Sequence, residues 1–144
     1  MIDTASGNLV FDNGKIIRRA FARAKFVESD WLKEVFDTQE YSWTNYYLQP
    51  QKSGNRFFIV ILCFNPQDTL EFVQIGLTQK GKIPSREHLT EQQELRRKED
   101  HDKWLKQKLG PPPYKYKWGA VASNLDPKSG ASIITIRYNV DTDS

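Results

Sequence analysis

Between residues 57 and 64 the chain reads FFIVILCF, apolar at every position. A run that short, rich in branched and aromatic side chains, predicts a central strand covered on both faces. Strand alternation puts Phe57, Ile59 and Ile61 on one face and Phe58, Val60 and Leu62 on the other, both sets mostly buried. No longer apolar run exists, and this one falls far short of the roughly 20 residues that cross a bilayer.

The segments around this strand set the class. NLVFDNGKIIRR places Asn13-Gly14 between two apolar stretches, the pattern of a hairpin closed by a type I′ turn. In AFARAKFVESDWLKEVFD, Phe26, Trp31, Leu32, Val35 and Phe36 recur at near-helical spacing. That predicts a short helix, with a break near Ser29 and a cap from Ser29 or Asp30. EYSWTNYYLQ has strand composition, QPQKSGN reads as a turn-rich loop, and TLEFVQIGLTQ is another strand. LTEQQELRRKEDHDKWLKQKLG is the strongest helix, opened by a Thr90/Gln93 capping box and stopped by Gly110 and three prolines. The pairs Glu94–Lys98, Glu99–Lys103 and Asp102–Lys106 have the spacing of helix ion pairs. Of its apolar residues, Leu95, Trp104, Leu105 and Leu109, the last three crowd the C-terminal half, which should dock while the first two turns stand mainly in water. YKYKWGAVASNLDPKSGASIITIRYNV closes the chain as a hairpin turning at Asp126–Gly130.

The predicted order is β-β-α-β-β-β-α-β-β. Short links imply antiparallel pairing, so the class is α+β: a single antiparallel sheet of about six to seven strands with two helices. A chain of 144 residues is read as one globular domain, 1–144. The single cysteine, Cys63, cannot form an internal disulfide and fits a reducing compartment. The start MIDTASGN lacks the basic and apolar regions of a secretory signal, so the expected location is the cytoplasm.

No catalytic constellation emerges. Gly76-Leu77-Thr78-Gln79-Lys80-Gly81-Lys82 matches the spacing of a phosphate loop, but Ile83 and Pro84 stand where Ser or Thr and a helix start belong. Cys63 lies in the most apolar strand, away from His88 and His101, and reads as a core thiol. Glu99-Asp100-His101-Asp102 resembles a metal cluster until the helix turns its members apart, leaving a solvated, paired surface. No cofactor or metal is expected, and the chain reads as no enzyme.

The stretch GPPPYKYKWGA raises a choice between nucleic-acid platform and core strand. A platform needs rings and cations on the same exposed face. In a strand Tyr114, Tyr116 and Trp118 share one face and Lys115 and Lys117 the other, so the rings are assigned to the core. That ring face is expected to run on to Ala120 and Ala122, covered by the helix end at Trp104.

The formal net charge of +3 is mild, but basic residues gather between Lys80 and Lys117. From them, candidate partner-binding residues are Lys80, Lys82, Arg86, Arg96, Arg97, Lys98 and His101. Two segments, ELRRKEDHDKWLKQKLG and PPYKYKWGAVASNLDPKSGASIITIRY, resemble small uncharacterised bacterial proteins of the toxin–immunity type. The resemblance rests on His101, Trp104, Leu105, Trp118-Gly119, Asp126-Pro127-Lys128 and Tyr138. It implies a non-enzymatic cytoplasmic protein that binds another protein, such as a toxin domain, and it brings no active site. Nuclease inhibitors tend to be acidic, so this slightly basic chain suits a neutral or acidic target better. The alternative is a nucleic-acid-binding protein using the basic Lys80–Lys108 region.

Overall fold

The computed structural model describes residues 1–78 and 90–139. In order, the elements are β1 (Leu9–Val10), β2 (Ile16–Ile17), α1 (Arg23–Glu28), a 3₁₀ turn (Asp30–Glu34), β3 (Val35–Glu40), β4 (Thr44–Ser53), β5 (Arg56–Phe64), β6 (Leu70–Thr78), α2 (Glu91–Leu109), β7 (Tyr114–Tyr116), β8 (Gly119–Leu125) and β9 (Ser132–Tyr138). Seven strands form one antiparallel sheet in the order β3-β4-β5-β6-β9-β8-β7, and β1-β2 stand apart as a two-stranded ribbon. The α+β class and antiparallel sheet are as read from the sequence.

β5 lies inside the sheet, flanked by β4 and β6. Phe58, Val60, Leu62 and Phe64 are fully buried on the core face. Phe57, Ile59 and Ile61 are only half-buried, so this strand is covered well on one face and partly on the other. Both sets are mostly buried, as expected, but the second face is covered less completely than the first. An unbroken apolar run does not by itself demand two covering layers, because strand neighbours shield one another's rings and branched chains. Tyr47, opposite Ile61, is likewise half-buried.

The region from α1 through β4 differs from the sequence expectation in two places. Helix α1 stops at Glu28 because Ser29 turns the chain: its hydroxyl donates to the Phe26 carbonyl at 2.6 Å and accepts from the Trp31 N–H at 3.2 Å. Val35 and Phe36, whose spacing fitted a helix, instead open the edge strand β3, where branched and aromatic residues are favoured. The predicted loop after residue 49 is strand too. β4 runs through Pro50 to Ser53, with a bulge between Leu48 and Gln51 that accommodates the proline's missing donor. The β1–β2 hairpin forms as predicted, with another turn: positive φ falls on Gly14 alone, and the Gly14 N–H bonds the Phe11 carbonyl at 3.0 Å.

Helix α2 begins with the predicted capping box, Thr90 Oγ1 accepting from the Gln93 N–H at 3.2 Å and Gln93 Oε1 from the Thr90 N–H at 2.8 Å. Its C-terminal half is buried through Trp104, whose ring lies 5.0 Å from that of Phe58, and through Leu105. The lysine–aromatic stretch divides as expected, with Tyr114 and Trp118 buried and Lys115 and Lys117 exposed. It is not one strand, however. The chain reverses at Lys117-Trp118, so Tyr116 faces Gly119 and Val121, rather than Ala120 or Ala122, joins Tyr114 in the core. Trp118 meets the N-terminal segment, its Nε1–H donating to the Thr4 carbonyl at 2.8 Å. Gly7 lies against that ring at φ +79°, where an added Cβ would stand 2.6 Å from Trp118 Cδ2.

Candidate functional site

A groove of about 600 Å³ runs beside β8, between it and the C-terminal half of α2. Its origin is legible in Pro112-Pro113. Pro112, the residue that would next have to exchange bonds with β8, at Ser123, has no N–H to give, so the pairing of β7 with β8 stops at Tyr114–Val121. β8 continues to Leu125, bonded, among the described residues, only to β9. The bonds from the Asp126 N–H to the Ala131 carbonyl at 2.8 Å and from the Asn139 N–H to the Trp118 carbonyl at 2.8 Å fix the alternation between β8 and β9. Even-numbered residues of β8 bond β9, so the N–H and C=O of Ser123 and Leu125 point outward along an unpaired edge.

Leu105, Pro112, Pro113, Tyr114 and Val121 give the groove apolar walls, and the small Ala120 and Ala122 leave its mouth wide. The Tyr114 hydroxyl donates to the Gly110 carbonyl at 2.9 Å and ties the proline link to the helix end. Lys98, Lys106 and Lys115 stand at the rim with one acid, Asp102, which Lys98 holds at 2.9 Å. Burial works against ionisation of Asp102, but the Ser123 hydroxyl and the Lys98 ammonium outweigh it and hold the carboxyl below its ordinary range. The buried Ser123 Oγ lies near that carboxylate without forming a hydrogen bond of good geometry.

The residues singled out from the sequence are dispersed. Lys80, Lys82 and Arg86 lie outside the described residues. Arg96 is exposed on α2. Lys98 reaches the groove rim. Arg97 and His101 belong to a different arrangement, built where β6 and β9 separate. The ladder between those strands ends at Ile75–Ile134, although β6 runs on to Thr78 and β9 starts at Ser132. Side chains of α2 take over the freed backbone groups. The Leu77 N–H donates to His101 Nε2 at 3.0 Å, and Arg97 donates to the Leu77 carbonyl at 3.1 Å. Glu94 accepts from the Ser132 N–H at 2.7 Å and bonds Arg97 at 3.3 Å.

His101 is 0% exposed. Because its Nε2 accepts, the neutral ring carries its proton on Nδ1 and donates to Ser132 Oγ at 2.8 Å. Burial, and then the charge of Arg97, push its pKa down to about 4. His101 is therefore sealed inside the fold, and the first two turns of α2 do not simply stand in water. Glu94, Arg97 and His101 recur at spacings of three and four, which put them on one helix face. That periodicity is present in the sequence, but its members are polar, and a buried helix face is ordinarily marked by apolar residues. It also explains Gly76, whose added Cβ would stand 2.9 Å from the Arg97 guanidinium. The glycine gives space for packing in β6, and the remainder of its phosphate-loop pattern, from Gln79 to Lys82, lies outside the described residues.

Cys63 is strongly shifted as well. It is 2% exposed, and burial pushes its thiol up to about 12. Burial thus holds the thiol protonated and makes the imidazole a weak proton acceptor, whereas a thiolate nucleophile needs a lowered value and a general base one near 7. Among the described residues no three His, Cys, Asp or Glu side chains are placed to hold a metal ion, and no helix is long and apolar enough to cross a membrane. No family model, no curated protein and no solved structure matches this chain.

Proposed function

We propose that the protein is a non-enzymatic protein-binding module, working in the cytoplasm, and that it neutralises a toxin partner by direct binding. The observation that carries the binding role is the unpaired outer edge of β8 beside an apolar groove. An exposed edge with a neighbouring apolar channel is the surface that strand-adding partners use. The neutralising role rests on the C-terminal resemblance, and the cytoplasmic setting on a lone buried thiol that needs no oxidising compartment.

The experiment is affinity capture with the full chain from nuclease-treated extract, followed by reconstitution of any captured protein at purified, equimolar concentrations. The expected result is a complex that survives nuclease and gel filtration, and whose partner loses its toxicity when both are produced together. Retention of nucleic acid alone, lost on nuclease treatment, would overturn the binding role. A stable complex with a harmless partner would keep the binding role and remove the neutralising one.

A further inference from the structure

Resting on the protein-binding reading, we infer that the partner offers an extended acidic segment, which joins the sheet as an added strand along Ala122–Leu125 of β8. Strand alternation fixes what such a segment would meet. Ser123 and Leu125 present their N–H and C=O groups outward, so an incoming backbone has donors and acceptors at two successive positions. The available edge is short, about 13 Å at roughly 3.3 Å per residue. Main-chain bonds alone would therefore hold the segment weakly, and its side chains must supply the selectivity.

The surroundings specify those side chains. Ser123 and Val121 share the core-side face of β8, so a residue opposite Ser123 points at the apolar wall that Leu105 and Val121 help to form. The neighbouring residue points to the other side, over Ala122 and toward Lys115. Lys106 and Lys115 are both exposed, and Lys98 already engages Asp102, the one acid at the rim among the described residues. Three lysines against one aspartate leave the groove cationic. Glutamate or aspartate alternating with apolar residues complements it, whereas a basic segment would place like charges together. A nucleic-acid strand could meet the lysines, but it has no alternating N–H and C=O groups to continue the ladder.

The test is selection of twelve-residue peptides from a random library on the full chain, then synthesis of the selected peptides. Selected sequences are expected to be enriched in Asp and Glu at alternate positions. They should bind at least tenfold more weakly to Lys106→Glu/Lys115→Glu, whose changes sit on exposed side chains and leave the core untouched. Amide exchange at Ser123 and Leu125, followed by NMR, should slow at least tenfold on binding. Failure to select any peptide, equal binding to the charge-reversed variant, or unprotected amides at both positions would overturn the strand-addition inference. If a reconstituted partner then binds at another surface, protein binding survives and this inference alone falls.

Discussion

Replacing Trp104 by alanine is expected to lower the unfolding free energy by about 3–5 kcal/mol, the cost of deleting a large buried aromatic. Trp104 is 3% exposed and packs its ring against Phe58, which is fully buried in the centre of the sheet. The side chain anchors the only long helix among the described residues, and the groove wall at Leu105 is carried by the next residue. A loss of that size is a large share of the roughly 5–15 kcal/mol that holds a domain together. Urea denaturation of parent and variant measures it. A variant that unfolds at the parent's midpoint would mean that Trp104 is exposed, and would detach α2 from the sheet as described.

The second large effect is in pH. His101 stays neutral in the fold down to about 4, against an ordinary value of 6.5. Between those values the unfolded chain binds a proton that the native chain refuses, so stability falls as the medium is acidified. The contribution is fully present above pH 6.5 and is lost progressively toward pH 4, about 3 kcal/mol across the whole window. Burial dominates this shift. Arg97 and Lys98 add to it, while Asp100 and Asp102 oppose it. His101→Gln removes the titrating group and keeps an amide able to bond the Leu77 N–H and the Ser132 hydroxyl. Stability of this variant at pH 7 should drop by about 1–3 kcal/mol because the replacement bonds fit less well. Its dependence on pH between 6.5 and 4.5 should be clearly flatter than the parent's. Equal slopes for the two proteins would show that His101 titrates as an exposed residue does.

These two residues mark where sequence reasoning succeeded and where it did not. Trp104 was legible because large apolar side chains at helical spacing, followed by a proline stop, have one common use. The β8–β9 turn and the Thr90 cap were legible for the same reason, since short-range chemistry specifies them. Val35 and Phe36 fitted a helix by spacing and went into a strand because β4 pairs with Val35 and, past a bulge at Phe36, with Asp37–Glu40, a partner that local pattern does not reveal. Pro50 suggested a loop, yet the bulge beside it lets the strand continue. The charged face of α2 is the more instructive case. Glu94, Arg97 and His101 look like surface residues by type, and they became internal only because β6 and β9 diverge beneath them. The groove had a sequence signal in Pro112-Pro113 ahead of a strand, but knowing that an edge stays open requires knowing which strand lies beside it.

We propose that this chain's partner is a protein and that its cations do not form a nucleic-acid surface. A salt titration with single- and double-stranded oligonucleotides tests it most directly, on the parent and on Arg96→Glu/Lys103→Glu, two exposed positions of α2. The predicted result is weak, non-specific binding at physiological salt, in the range of roughly 10⁻⁴–10⁻⁶ M, with similar values for both proteins. Submicromolar binding at physiological salt, falling steeply as salt rises and abolished by the double change, would contradict the claim and make nucleic acid the partner.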